Sequence, residues 1–192
     1  DTNNKTSGIY MTTEQLLTEA LDHFDKEEYK TAIGKYKEVL EIDSTTAEAL
    51  VGVGNCCMRL QNPQEAKVYF NRAKTHDSRF YKAWLGLGLL ELYKENTKQA
   101  ENYLIKAIEL NPQSNKAFCA MGILKNDTND LDESETYYCQ ALDINVDNVL
   151  AIKSLIEISY KTENFNRAQN YLRLFLEIHP ANINMLLAMA GI

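Results

Sequence analysis

The sequence predicts an all-α chain of antiparallel helix pairs stacked as a solenoid. Three observations carry this reading. First, a 34-residue pattern recurs without insertion over residues 13–46, 47–80, 81–114, 115–148 and 149–182, and a sixth copy begins at Ile183. Second, small residues recur at two places in the unit. Position 8 holds Ala20, Gly54, Gly88 and Gly122, with Ile156 the exception. Position 20 holds Ala32, Ala66, Ala100, Ser134 and Ala168. Two helices approach closely only where such residues face each other. Third, 192 residues contain 8 Gly and 3 Pro, a scarcity that suits helices joined by short turns.

Residues 1–12 are polar and aperiodic, and are read as a flexible lead or linker ahead of one solenoid over 13–192. Thr12 or Thr13 offers an N-cap to the first helix, and Glu14 favours its first turn. Large residues fill the space between helices: Leu16, Leu50, Trp84, Phe118 and Ile152 at position 4, with Tyr36, Phe70, Leu104, Tyr138 and Leu172 at position 24. Position 27, mostly small (Val39, Ala73, Ala107, Ala141, Phe175), is where the next unit packs. Each pair leaves an apolar face that only a neighbour covers. Pro112 and Pro180 end second helices, because proline cannot extend the hydrogen-bond ladder. Turns with Ser44, Ser78 or Val146 at that site are expected to be looser. Asn62-Pro63 marks the turn inside the second unit, just before its second helix.

Three departures carry expectations. Glu19 stands where later units have Val53, Leu87, Met121 and Leu155, which suggests an exposed first unit. Lys74 and His76 replace apolar residues, so the second helix of that unit should be weak or wet near its end. Ile156 and Phe175 replace small residues, so the fifth pair should sit further apart. The last residues, INMLLAMAGI, read as an apolar first helix without a partner. That suggests a fragment of a longer protein, or a face covered by a second copy.

Composition excludes several function classes. The net charge is −7, and both nucleic acid and anionic membrane call for a basic face. No apolar run is long enough to span a bilayer, so no direct membrane insertion is expected. No signal peptide is visible, although the chain starts at Asp1. The cysteines Cys56, Cys57, Cys119 and Cys139 form no CxxC pair and are read as buried thiols of a reducing, cytoplasmic compartment. The histidines His23, His76 and His179 lie in three separate units, without metal-ligand spacing. Gly52 to Gly54 and Gly86 to Gly88 are helix-packing positions rather than a phosphate loop. No catalytic residue, cofactor or metal is expected, and the chain is not read as an enzyme.

The central unit, YKAWLGLGLLELYKENTKQAENYLIKAIELNPQS, shows the pattern most clearly: Trp84, Leu87 and Gly88, then Ala100, Leu104, Ala107 and Pro112. It resembles the tetratricopeptide repeat (TPR) family. The resemblance implies a right-handed superhelix with an inner surface lined by first helices, where ligands lie. It also implies that positions 2, 5, 9, 12 and 13 face inward. Those positions give an apolar stripe of Leu17, Leu21, Val51, Met58, Leu85, Leu89, Leu92 and Ile123, with Asn55 and Leu150. They also give the cations Arg59, Lys82, Lys116, Lys153 and Lys161, near Tyr93 and Tyr160. Two readings of the stripe stand: a groove for an amphipathic helix or extended apolar segment, or side chains that bury one another. The cations likewise either bind a partner's carboxylates or pair with Glu48, Asp127 and Glu157. Two specialisations known in the family are missing. No three consecutive repeats supply the carboxylate clamp of chaperone co-factors, although Lys82 and Asn55 fall on permitted sites. The Asn ladder at position 6 of the repeats preceding the O-GlcNAc transferase domain is replaced by Thr18, Gly52, Gly86, Ala120 and Ser154.

The expected function is therefore a non-enzymatic scaffold that binds a peptide or helical segment of a protein partner. Its expected contacts are Leu17, Leu21, Asn55, Met58, Arg59, Lys82, Leu85, Leu89, Leu92, Tyr93, Lys116, Ile123 and Lys153. The alternatives are a self-assembling homo-oligomer and the regulatory repeat region of a larger protein.

Overall fold

In the computed structural model, which describes residues 11–191, the repeat register becomes eleven helices. They are α1 (Thr13–Asp25), α2 (Tyr29–Ile42), α3 (Ala47–Arg59), α4 (Pro63–His76), α5 (Tyr81–Tyr93), α6 (Thr97–Leu110), α7 (Asn115–Asp127), α8 (Leu131–Ile144), α9 (Val149–Thr162), α10 (Asn166–Ile178) and α11 (Ile183–Gly191). No strand occurs among the described residues. The flexible lead read over 1–12 falls, up to residue 10, outside the described residues, as does Ile192. Thr12 is the N-cap of α1, and Gln15 completes a capping box with it.

Two compact units divide the chain within α5, the first ending at Gly86 and the second starting at Leu87. In the first, Tyr36 of α2 lies over Gly52 of α3, and Phe70 of α4 fills the space left by Gly54 and Gly86. Leu50, Val53, Cys56 and Ala73 are fully buried around them. Glu19 is part-exposed and paired with Lys35 at 3.3 Å, so α2 meets the expected exposed carboxylate with a cation. Lys74 and His76 do not shorten α4: it runs to His76, as long as α2, α6 and α8. The Lys74 ammonium lies 5.2 Å from the centroid of the Trp84 ring, which shelters the charge in place of an apolar contact.

In the second unit, Leu104 of α6 seats against Gly88 and Tyr138 of α8 against Gly122. Ser134, where other pairs have Ala, donates a buried 2.8 Å hydrogen bond to the Gly122 carbonyl and so ties α8 to α7. A core of Tyr138, Ile152, Leu155, Leu172 and Phe175 continues to Met185 of α11. Phe175 is buried there, and Ile156 packs at its edge.

Two kinds of turn alternate. After each complete first helix one residue takes a left-handed conformation: Glu27, Gln61, Glu95, Asn129 and Glu163, with φ between 56° and 62°. At four of these turns the following amide reaches back to close the helix end: Glu28 to His23, Asn62 to Cys57, Asn96 to Glu91 and Asp130 to Lys125. Pro63 is the first residue of α4, with Asn62 as its N-cap. The turns after second helices are not looser without proline. Asp43, Asp77, Asn111 and Asn145 each accept from the backbone amide two residues on, at 2.9–3.1 Å. The side-chain acceptor sets the turn whether or not a proline follows.

Candidate functional site

Each unit presents its first helices as one candidate face. In the first unit that face comes from α1, α3 and the start of α5. Leu16 and Ala20 turn into the core, which leaves Leu17 part-exposed and Leu21 53 % exposed on the other side of α1. Asn55 and Met58 of α3 are part-exposed. Val51 and Leu85 are buried, so neither offers surface to a ligand. For Leu85 this corrects the expected contact: at 7 % exposure it belongs to the buried packing of α5. Arg59 is also less available than expected. Its Nε donates to the Tyr29 hydroxyl at 3.0 Å, its guanidinium lies 5.6 Å from that ring's centroid, and Glu27 is 3.9 Å away. It links α3 to the α1–α2 turn. Lys82 is exposed, with its ammonium 5.8 Å from the centroid of the Phe80 ring.

In the second unit the face comes from the rest of α5, α7 and α9. Leu87 and Leu90 are fully buried, which forces Leu89 (39 % exposed) and Tyr93 (62 % exposed) to the opposite side of α5. Leu92 is part-exposed between them. On α7, Lys116 is exposed, Cys119 is buried, and Ile123 packs on the core edge. On α9, Lys153 is exposed beside Leu150 (53 %) and Tyr160 (56 %). Leu150 and Tyr160 occupy inward positions 2 and 12, so the register already placed them on this face, although they were not among the expected contacts. Lys161 donates to the Asn126 side chain at 3.3 Å, which joins α9 to α7. The Tyr160 hydroxyl donates to the Gly191 carbonyl at 2.9 Å.

The reactive side chains are held in unreactive states. Burial pushes the Cys56 thiol up to about 12, and the Cys57 and Cys119 thiols up to about 11. Each therefore stays protonated near neutrality, whereas a nucleophile needs the thiolate. All four cysteines are free. Among the described residues no group of three His, Cys, Asp or Glu side chains is placed to hold a metal ion. Nor is any helix among them long and apolar enough to cross a membrane.

Helix pairs in a 34-residue register, closed by small-residue contacts, define a TPR-type repeat protein. The family model of the tetratricopeptide repeat protein 21 C-terminal ARM domain matches residues 3–161, and the chain belongs to that family. Solved structures share the fold. TTC0263, a thermophilic TPR protein of Thermus thermophilus, is 17 % identical, with a TM-score of 0.76 over 94 % of this chain and 98 % of its own. The pilF protein of Pseudomonas aeruginosa is 19 % identical, with a TM-score of 0.74 over 92 % of this chain and 80 % of its own. YrrB, a TPR protein with an unusual peptide-binding site, is 24 % identical, with a TM-score of 0.57 over 92 % of this chain and 91 % of its own. No curated protein matches the sequence.

Proposed function

We propose that the chain is a non-enzymatic interaction scaffold whose first-helix faces take a peptide or helical segment of a protein partner. The observation that carries this reading is on α5. Leu89 and Tyr93 stand exposed on one side of a helix whose other side is fully buried at Leu87 and Leu90. Large apolar side chains held out on a rigid helix are the usual anchors of a helix-in-groove or peptide contact. The contact set is Leu17, Leu21, Asn55, Met58 and Lys82 in the first unit, and Leu89, Leu92, Tyr93, Lys116, Ile123 and Lys153 in the second. YrrB is described as having a peptide-binding site. At its level of identity that likeness is one of fold. The unbridged cysteines support a reducing, cytoplasmic setting. Leu89→Asp tests the reading: the variant should keep the helical far-UV signal and lose a protein that the wild type captures from native lysate. Equal capture by both would refute it.

A second reading, self-association, draws support from α11, where Ile183, Leu186 and Leu187 are 70 %, 45 % and 67 % exposed. Light scattering over a range of concentrations tests it, and a mass that stays at one chain throughout would contradict it.

A further inference from the structure

We infer that two copies of the chain pair through α11, antiparallel about a two-fold axis, with Ile183 of each copy over Ala190 of the other. The inference rests on the self-association reading above and adds the contact and its register. Met185 is buried, and Ala188 and Met189 pack against the core of the second unit. That fixes how α11 is turned. Ile183, Leu186, Leu187 and Ala190 are left exposed on the other side, spaced as one stripe of a helix. The Tyr160 hydroxyl donates to the Gly191 carbonyl, so the end of α11 is tied to α9.

In the complete pairs the second helix lies on this stripe. At position 8, Gly54 takes the Phe70 ring, Gly88 takes Leu104 and Gly122 takes Tyr138. At position 4, Leu50 and Ile152 are fully buried. The same positions of α11 hold Leu186 and the small Ala190, and both are exposed. The shape that fits them is an antiparallel helix with a large apolar side chain over Ala190.

α11 itself has that shape. Its large residues, Ile183, Leu186 and Leu187, come first, and the small Ala190 and Gly191 come last. Ile183 and Ala190 are about two helical turns apart, with Leu186 and Leu187 midway. Turning a second copy end for end therefore sets the large half of each helix on the small half of the other. A two-fold contact places a surface against itself. On a chain of net charge −7, most such contacts bring like charges together, which suppresses association. Residues 178–192 contain no Asp, Glu, Lys or Arg, the longest such run in the sequence, so a second copy meets no like charge from this stretch. A pair of nine-residue helices buries less than the roughly 1,200–2,000 Å² of a stable dimer, so the pair forms only as concentration rises.

Cysteine cross-linking of the full chain tests the register. Leu186→Cys, at the axis, should give a covalent dimer on mild oxidation. Ile183→Cys and Ala190→Cys should each give little alone and a dimer when mixed. Asn184→Cys, exposed but off the stripe, is the control, and the wild type accounts for the native thiols. Light scattering of the wild type without oxidant should show the mass rise towards two chains with concentration, and Leu186→Lys should abolish the rise. If the mass rises but Asn184→Cys cross-links as readily as Leu186→Cys, or Ile183→Cys alone as readily as the mixture, the α11 register is overturned and self-association stands. If the mass stays at one chain throughout, both fall.

Discussion

Lys125 of α7 reaches Glu101 of α6 at 2.9 Å, an ion pair that joins the third repeat to the fourth, while Glu133 of α8 meets the same ammonium at 2.7 Å. The two carboxylates, led by Glu133, hold the ammonium well above its usual range. Its side chain is 16 % exposed, so this pair is better shielded than the surface pairs Lys26–Asp22 and Lys106–Glu109.

Lys125→Met should therefore destabilise the protein more than either Glu101→Gln or Glu133→Gln. Removing the cation leaves two carboxylates facing each other, whereas removing one acid leaves the other pair intact. The expected loss is about 1–2 kcal/mol, moderated because both acids are partly in water. Urea midpoints of the three variants and the Lys125/Glu101 double variant measure it. Additive effects would show that the pair is not coupled.

Glycines should respond oppositely to one methyl group. A Cβ on Gly122 would lie 2.8 Å from the Tyr138 ring, which is itself buried and has nowhere to retreat. Gly122→Ala should cost about 1–3 kcal/mol. A Cβ on Gly34, in the middle of α2, meets nothing within 4 Å. Gly34→Ala should stabilise by about 0.5–1 kcal/mol through helix propensity alone. Thermal melts of the two variants check both signs.

The left-handed turns leave stability unused. Glu95 sits at φ 58°, where a side chain crowds its own backbone. Glu95→Gly should raise stability by about 0.5 kcal/mol, the relief of strain being partly offset by a more flexible unfolded chain. Glu95→Val should lower it, since a branched side chain tolerates this region least. Chemical denaturation of the pair is the check.

Stability should fall at alkaline pH. The Cys56, Cys57 and Cys119 thiols and the Tyr36 and Tyr138 hydroxyls are all raised by burial, the tyrosines to about 12. An acid whose folded value is raised keeps its proton longer in the folded state. Above its unfolded value, the unfolded chain releases that proton and is favoured. The loss should begin near pH 9 with the thiols and grow up to about pH 12, at roughly 1 kcal/mol per thiol by pH 10. Melting temperatures across that range test this, and Cys56→Val should flatten the slope.

Much of the fold was legible because the constraint that makes it is written at single positions. Small residues at positions 8 and 20, and large ones at position 24, are the close contacts of Gly122 with Tyr138 and of Gly88 with Leu104. The turns were less legible. Proline was an obvious mark, but the acceptor at position 31 (Asp43, Asp77, Asn111, Asn145) does the work and was visible in the same alignment. The left-handed residues were hidden, because Glu, Gln and Asn there look like ordinary polar turn residues. The face was legible by position and not by exposure. Leu85 and Leu89 are both leucines at inward positions of one helix, and only packing tells that the first is buried and the second is not. The attachment of Arg59 to Tyr29 spans 30 residues of sequence, beyond any local pattern, so the sequence alone presents Arg59 as a cation for a partner.

The central claim is that a protein partner lies on the first-helix face. A photo-reactive aromatic residue in place of Tyr93, on that face, compared with one in place of Ile105, 44 % exposed on the second helix α6, tests it most directly. Irradiation in native lysate should give a discrete cross-linked protein from position 93, lost when Leu89→Asp is added, and little from position 105. The same product from both positions, or one from position 105 alone, would contradict the account.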